Sequence, residues 1–456
     1  MKDFPSISDD FYSLRDDRTN RCISDRQYQK ARCLVTIDID LLKSYSGQVM
    51  LAVVCNLLSR WCRYVTIIIP NTTPSLISSD RKELKDIILT QMTDADPFGF
   101  FKVTDQEDNK VDVQIHLGND FKKIVSKYVI INASDWYATI SNSSPIVLTH
   151  SNSKNCLGAI AAACLGVAQV FKYSICTPAD MLLAEGVFDL YRLKRLQIGE
   201  LENVPSTSNL QMGRILMVGA GSIGSAAAYC LNLIQAACEM MIVDGDKVKI
   251  ENFNRSPIFG KSNCGLYKSE AVAKSLSGST IKVNFFSGWW EEFLLKHGRG
   301  KNEFDIWLPL ANEFGVRWGM QNNLPPLMVH ASTTKDWGVN HGRHIPHKDD
   351  CLVDRFPEIV SNENFGCSTT QVISQNELVD AALPFLSLFG GLLIVAELTR
   401  LQLSDYPQVP NFAFIDLGSS LSMVQSWNKK ARLDCLCRNQ PHIMTETFNG
   451  RTKYAS

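Results

Sequence analysis

The sequence predicts an α/β protein with two domains, each built on a mainly parallel sheet flanked by helices. Three observations support this. The chain has 456 residues and 45% hydrophobic content, enough for two or three cores. In its C-terminal half, an apolar run ends in a glycine-rich turn before a helical pattern. The N-terminal half repeats the same order of strand, helix and strand.

The glycine-rich turn follows an apolar strand at 215–218. Gly219 permits a tight turn, Gly221 lets the backbone approach a phosphate or a ribose, and Gly224 lets the following helix pack on the strand. The helix begins near Ser225, and its N-terminus presents free N–H groups to anions. This segment predicts a nucleotide-binding turn.

Polar and charged residues follow the next strand, at 240–243. Asp244 ends that strand, where a ribose-binding acid belongs. Two amides and two cations come next and suit a triphosphate better than a pyrophosphate; they are Asn252, Asn254, Arg255 and Lys268.

The N-terminal copy lacks the glycine turn. Asp38 and Asp40 stand where a phosphate needs backbone N–H groups, so this copy is not expected to bind a nucleotide. We predict a degenerate Rossmann-like domain over 1–200, with strands and helices at 31–37, 47–60, 65–69, 111–116, 128–131 and 157–171.

Residues 201–211 are polar and contain a proline, which predicts a linker before a second domain at 212–456. Lys plus Arg (46) nearly balance Asp plus Glu (47), which argues against nucleic-acid binding. The apolar runs 157–171 and 381–396 are short for membrane spans and predict buried helices. The N-terminus has no apolar signal core, so we expect a cytoplasmic protein with reduced thiols and no membrane partner.

The second domain resembles the ThiF/MoeB/ubiquitin-activating superfamily, whose signature reads GxGxxG, DxD, NxxR and then Lys. The matching residues are Gly219, Gly221, Gly224, Asp244, Asp246, Asn252, Arg255 and Lys268. The resemblance implies an active ThiF-type adenylation domain that uses ATP and Mg²⁺. In it, Asp244 binds the ribose, Arg255 the outer phosphates and Lys268 the α-phosphate.

Adenylation domains of this superfamily work as pairs, and one partner supplies an N-terminal arginine to the other's ATP site. The resemblance therefore implies that the first half is a built-in partner, with Arg15, Arg18 and Arg21 as the candidates. Paired buried helices at 157–171 and 383–403 then give an intrachain pseudo-dimer, or a chain that pairs again as a homodimer.

One position departs from the family pattern. Relatives place a Mg²⁺-binding Asp where this chain has Asn312, in a segment that aligns on Arg317. Asn is a weaker ligand for a hard cation, so either Glu313 takes over or ATP itself holds the metal.

The resemblance also implies a crossover loop at about 340–368, which carries a reactive thiol in relatives. Cys367 occupies the position of the family's reactive thiol, and Cys351 is its competitor. Relatives often carry a structural zinc, for which Cys351, Cys435 and Cys437 are the remaining ligands. Their irregular spacing favours a vestigial, metal-free site over bound Zn²⁺.

Together these features predict an enzyme that activates a ubiquitin-like protein. It would adenylate the modifier's C-terminal carboxylate, form a thioester on Cys367 and pass the acyl group to a conjugating enzyme. The closest resemblance is to activating enzymes of bacterial Bil-type antiphage systems. Three alternatives stay open: a sulfur-carrier adenylyltransferase of the thiamin or molybdopterin type, a nicotinamide-dependent oxidoreductase, and a non-catalytic partner that holds a modifier.

Overall fold

The computed structural model of the chain describes nearly all of both halves up to residue 352 and parts of the remainder. The described residues are 4–352 apart from 24–25, 79–81, 107–109, 150–152, 198, 206, 208, 299–302, 312–313, 335–336 and 347, followed by 371–374, 377–380, 383–403, 407, 409–418, 424–433, 435 and 437.

The first half contains six helices and eight strands in the described part of the chain. The helices are α1 Ser8–Arg15, α2 Asp17–Cys22, α3 Ile39–Leu42, α4 Tyr45–Ser59, α5 Leu84–Ala95 and α6 Leu157–Ser174. The strands are β1 Arg32–Ile37, β2 Tyr64–Ile68, β3 Phe100–Thr104, β4 Val113–Leu117, β5 Tyr128–Ser134, β6 Tyr137–Ser141, β7 Gly186–Asp189 and β8 Lys194–Leu196.

The second half contains five helices and ten strands in its described residues. Its described helices are α7 Ser222–Leu233, α8 Lys268–Ser275, α9 Trp290–His297, α10 Phe314–Asn322 and α11 Pro384–Arg400. Its strands are β9 Gln211–Val218, β10 Ala237–Val243, β11 Ile281–Phe286, β12 Ile306–Pro309, β13 Met328–Thr333, β14 Gly338–His344, β15 Gln371–Ser374, β16 Glu377–Asp380, β17 Phe412–Asp416 and β18 Val424–Trp427.

Each half forms one eight-stranded sheet, and the two sheets have the same plan. The orders are β3-β2-β1-β4-β5-β6-β7-β8 and β11-β10-β9-β12-β13-β14-β17-β18. In both, the first five strands pair in parallel and the last three are antiparallel. This confirms the predicted α/β class with two Rossmann-like units. Strand order reverses between β1 and β4 and between β9 and β12, where such sheets bind ligands.

The halves pack together through their most apolar helices. α11 contacts both α7 and α6, and α6 contacts α4, so residues of both halves share one hydrophobic core. The ring of Phe171 on α6 lies 5.8 Å from that of Phe385 on α11. α6 is long and apolar enough for a membrane span by length and composition, but 89% of it is buried inside the protein. The predicted pairing of these helices is confirmed.

The segment between β8 and β9 runs over the first sheet. The indole of Trp136 donates a hydrogen bond to the carbonyl of Pro205 at 3.1 Å, and the hydroxyl of Tyr137 donates to the carbonyl of Glu202 at 2.6 Å. These bonds anchor the connection to the first half before the chain enters β9.

Candidate nucleotide-binding site

The glycine turn lies between β9 and α7, at the carboxyl edge of the second sheet. Gly219 has a φ of +98°, and a Cβ on it would lie 2.3 Å from the backbone nitrogen of Ala311. A Cβ on Gly224 would lie 2.1 Å from the carbonyl oxygen of Gly219. A Cβ on Gly221 would meet no described atom within 4 Å. Two glycines therefore serve packing of the turn, while Gly221 faces the open side where a ligand can approach.

Asp244 follows β10 and is bonded to the glycine turn. Its carboxylate accepts hydrogen bonds from the backbone N–H groups of Ala220 at 2.6 Å and Asp246 at 2.9 Å. Burial raises the pKa of Asp244, while Lys268 and these two N–H groups oppose the shift. The carboxylate is thus held beside the turn, where ribose hydroxyls can donate to it.

Lys268 is the first residue of α8 and joins the same cluster. Its ammonium lies 2.7 Å from the carboxylate of Asp246, and its backbone N–H donates to the carbonyl of Asp246 at 2.8 Å. The lysine side chain is 6% exposed and that of Asp246 is 50% exposed. A buried cation with a half-exposed partner can exchange that partner for a phosphate at the mouth of the site.

Asn252 ends a short 3₁₀ helix at Ile250–Asn252, and Arg255 lies in the turn that follows. The side-chain oxygen of Asn252 accepts a hydrogen bond from the N–H of Lys249 at 2.9 Å. The guanidinium of Arg255 donates to the carbonyl of Glu251 and to the side chain of Asn254, the latter at 3.1 Å. Both predicted residues therefore have local partners here, and these two bonds of Arg255 use one nitrogen of its guanidinium.

Arg15 is bonded to carboxylates of the first half, and its predicted contact with the nucleotide stays a prediction. Its guanidinium is fully buried in the first half, 2.6 Å from the carboxylates of both Asp16 and Asp96. A buried arginine is held by such partners, because removing it would take away the cation beside the buried carboxylate of Asp96.

Arg18 is better placed. It lies on α2 next to Thr19, whose hydroxyl accepts a hydrogen bond from the side-chain amide of Asn254 at 3.3 Å. The preceding helix α1 packs against the 3₁₀ turn, and the ring of Phe11 lies 6.2 Å from that of Phe253. The N-terminal helices of the first half therefore contact the loop that carries Arg255.

Two residues of this site were missed by the sequence reasoning. Ser269, fully buried, donates to the backbone carbonyl of Asp244 at 3.1 Å. Trp289, 49% exposed, packs on Gly245, where an added Cβ would lie 2.9 Å from the indole ring. The position of Trp289 just after β11 was a usable signal, because β11 neighbours the strand that ends at Asp244.

The three predicted zinc ligands lie together in a separate buried cluster. The sulfur of Cys351 is 2.8 Å from that of Cys435, which is 3.2 Å from that of Cys437. His344, the last residue of β14, is a ligand that the sequence reasoning missed, and its ring nitrogen lies within 4.8 Å of the sulfurs of Cys351 and Cys437. Three thiols and an imidazole are a common donor set for structural zinc.

The imidazole of His344 is oriented for such a role. Its Nδ1 lies 2.9 Å from the backbone carbonyl of Asp350. When Nδ1 donates this bond, Nε2 is the unprotonated nitrogen, which is the form that binds a metal. The residues present therefore fit a zinc ion.

The corresponding turn of the first half contains its own anion. The carboxylate of Asp38 accepts hydrogen bonds from the N–H groups of Asn119 at 2.5 Å and Asp120 at 3.0 Å, and lies 3.1 Å from Nε2 of His116. Gly118 has a φ of +123°, and its absent side chain leaves the space that this carboxylate occupies. Burial alone would raise the pKa of Asp38, but these bonds lower it.

Asn312, Glu313 and Cys367 lie outside the described residues, so their predicted roles stay predictions. Cys351, the competitor of Cys367, is fully buried in the cysteine cluster.

Comparisons with known proteins agree with this geometry. The model of the ThiF family matches residues 194–437, and a BilD N-terminal domain model matches residues 32–181. The uncharacterized protein y4jF of Sinorhizobium fredii (strain NBRC 101917 / NGR234) is 24% identical over 215 residues, which are 46% of this chain and 41% of that protein. The chain thus spans about two fifths of the length of this relative.

Solved structures of E. coli MccB are similar to part of the chain. The complex with SeMet MccA has a TM-score of 0.39 at 17% identity, over 49% of this chain and 66% of that one. The complex with AMPCPP and SeMet MccA gives the same values.

Proposed function

Since the chain belongs to the ThiF family, we propose that its second half binds Mg²⁺·ATP at the glycine turn and adenylates the C-terminal carboxylate of a ubiquitin-like protein. Adenylating enzymes of this family use ATP and Mg²⁺. The observation that carries the proposal is the continuous cluster in which the glycine turn is bonded to Asp244, Asp244 to Asp246, and Asp246 to Lys268.

The phosphates would lie at Gly221 and the N-terminus of α7, because this side of the turn is open. The ribose would then meet Asp244. The base would extend beyond the ribose toward the end of β11, where the half-exposed indole of Trp289 offers a flat apolar surface.

The chemistry needs charge neutralisation more than proton transfer. A carboxylate oxygen of the modifier attacks the α-phosphorus, the bond to the bridging oxygen breaks, and pyrophosphate leaves as an acyl adenylate forms. Lys268 is the cation for the α-phosphate and Arg255 for the outer phosphates. Arg18, carried on the helix that contacts Asn254 through Thr19, would complete the site from the first half.

Thioester formation is the second step of the proposal. The thiolate of Cys367 would attack the acyl adenylate and release AMP, and the thioester would pass to a conjugating enzyme. The burial of Cys351 supports Cys367 as the nucleophile. The BilD N-terminal domain match supports a role in a Bil-type antiphage system.

ATP–pyrophosphate exchange tests the adenylation step. The full chain plus a small β-grasp protein that ends in glycine should exchange labelled pyrophosphate into ATP, and Lys268→Ala should abolish exchange. Exchange without a thiol-sensitive adduct on a non-reducing gel would favour the sulfur-carrier alternative. A protein that binds ATP but shows neither pyrophosphate exchange nor an adduct on the gel would favour the alternative of a non-catalytic partner.

We also propose that His344, Cys351, Cys435 and Cys437 hold one structural zinc ion. Elemental analysis of the purified full chain should give about one zinc per chain, and Cys437→Ser should lose it. Cobalt substitution should produce the absorption of thiolate-bound metal. A zinc-free protein with a disulfide between Cys351 and Cys435 would contradict this assignment.

A further inference from the structure

A buried arginine of the first half is bonded to the loop that carries Arg255. Arg60, at the C-terminal end of α4, is 2% exposed. Its guanidinium donates to the backbone carbonyls of Phe253 at 3.1 Å, Pro257 at 2.8 Å and Phe259. Its Nε donates to the side chain of Asn56 at 3.1 Å.

Other groups of the first half hold the same loop. The side-chain amide of Asn56 donates to the carbonyl of Pro257 at 3.0 Å. The carboxylate of Asp94 accepts from the N–H and the hydroxyl of Ser262 at 2.7 and 2.9 Å. A Cβ on Gly260 would lie 2.2 Å from this carboxylate. The loop from 253 to 262 is therefore fixed by the first half along its whole length.

The guanidinium is suited to this task in a way that an ammonium is not. Its planar group has five N–H donors on three nitrogens and can bond to carbonyls that are several ångströms apart, whereas a lysine places all its donors on one atom. Burial lowers the pKa of Arg60 to about 10, with the nearby Asp94 opposing the shift, so the group stays charged at neutral pH.

We infer that Arg60 is a positioning residue for the nucleotide site of the other half. By holding the carbonyls on both sides of Arg255, it sets the backbone from which that arginine reaches the phosphates. The half that has lost its own glycine turn thereby builds part of the working site. This inference rests on the proposed function, because it assumes that Arg255 serves ATP.

The test uses the full chain with the substitution Arg60→Lys. Hydrogen–deuterium exchange of the peptide spanning 253–262 reports the loop directly, and calorimetric titration with Mg²⁺·ATP reports the site. We expect faster exchange confined to this loop and about tenfold weaker ATP binding, the size of effect seen when a positioning network is loosened.

Arg400→Lys is the matched control. Arg400 is also fully buried and also spans the halves, since it donates to the carbonyl of Leu190, but it lies on α11 away from the loop. Both variants are expected to lower the melting temperature, and only Arg60→Lys should weaken ATP binding. Equal losses of affinity in the two variants, or a loosened loop with unchanged affinity, would overturn the inference. Wild-type protein that binds no Mg²⁺·ATP would overturn the proposed function first.

Discussion

The turns after β1 and after β9 occupy the same place in two sheets of the same plan. They differ in whether an acidic side chain of the protein fills the turn. After β9, the backbone of Gly221 faces open space beside a helix N-terminus. After β1, the carboxylate of Asp38 occupies the turn and takes the N–H groups of Asn119 and Asp120. The turn of one half is open at Gly221, and the turn of the other is filled by its own side chain.

Under our proposal, nucleotide binding therefore belongs to the second half. The largest expected effect is therefore that of Lys268→Ala, which removes the cation at the mouth of the site. We expect Mg²⁺·ATP affinity to fall about 100-fold, since losing a charged partner of a phosphate costs a few kcal/mol. Calorimetric titration of the full chain measures the change.

Lys274→Ala is the control for this loss. Lys274 lies on the same helix and pairs with Glu270 at 2.8 Å, with its side chain 61% exposed. Exposed ion pairs contribute little, so the affinity of the Lys274→Ala protein for ATP should match that of the wild type. Similar losses of ATP affinity in the two variants would show that α8 contributes only its overall positive charge and that Lys268 has no specific contact with the phosphates.

Two substitutions in the glycine turn test its packing and its ligand binding separately. Gly224→Ala places a Cβ against the carbonyl of Gly219 and should lower the free energy of unfolding by about 2–3 kcal/mol. Gly221→Ala meets open space and should leave stability unchanged, yet weaken ATP binding about tenfold by obstructing the phosphate. Chemical denaturation and titration measure the two effects. A Gly221→Ala protein that binds ATP normally would remove this residue from the site.

The first half is tested by Asp38→Asn. We expect a loss of about 2 kcal/mol in the free energy of unfolding at neutral pH, because hydrogen bonds to a charged acceptor are lost. Since folding lowers the pKa of Asp38, its contribution is fully present above the unfolded value of about 3.9 and disappears as the pH falls through the lower folded value.

The difference in stability between wild type and Asp38→Asn should therefore narrow in acid, as followed by urea unfolding at a series of pH values. ATP affinity should not change. A variant with weaker ATP binding at unchanged stability would contradict the division of roles between the halves.

The smallest expected effect is that of Arg18→Ala. We expect about fivefold weaker ATP binding, because only one of the several cations proposed for the phosphates is lost. Arg15→Ala should instead destabilise the fold, since it removes the cation beside the buried carboxylate of Asp96. Thermal unfolding and titration together distinguish the two arginines.

Features that depend on residues close together in the sequence could be predicted. The glycine turn, the acid at the end of β10 and the repeated strand order are local patterns, and the two sheets confirm the fold class. The loss of the turn at Asp38 was also visible, although its partner His116 was not, because that contact joins β1 to β4.

The other features could not be predicted, because they depend on contacts between segments that are far apart in the sequence. Three arginines near the N-terminus looked alike until Asp96, far along the chain, paired with Arg15. His344 joins the cysteines only because β14 ends beside them. Arg60 gave no signal at all, since its partners are backbone carbonyls about 200 residues later, and a carbonyl has no sequence signature.

The stoichiometry of ATP binding tests the central claim most directly. Calorimetric titration of the full chain with Mg²⁺·ATP should give one site per chain, with its affinity lowered about 100-fold in Lys268→Ala and unchanged in Asp38→Asn. Two sites per chain, or one site whose affinity is unchanged in Lys268→Ala and lost in Asp38→Asn, would contradict the assignment of nucleotide binding to the second half.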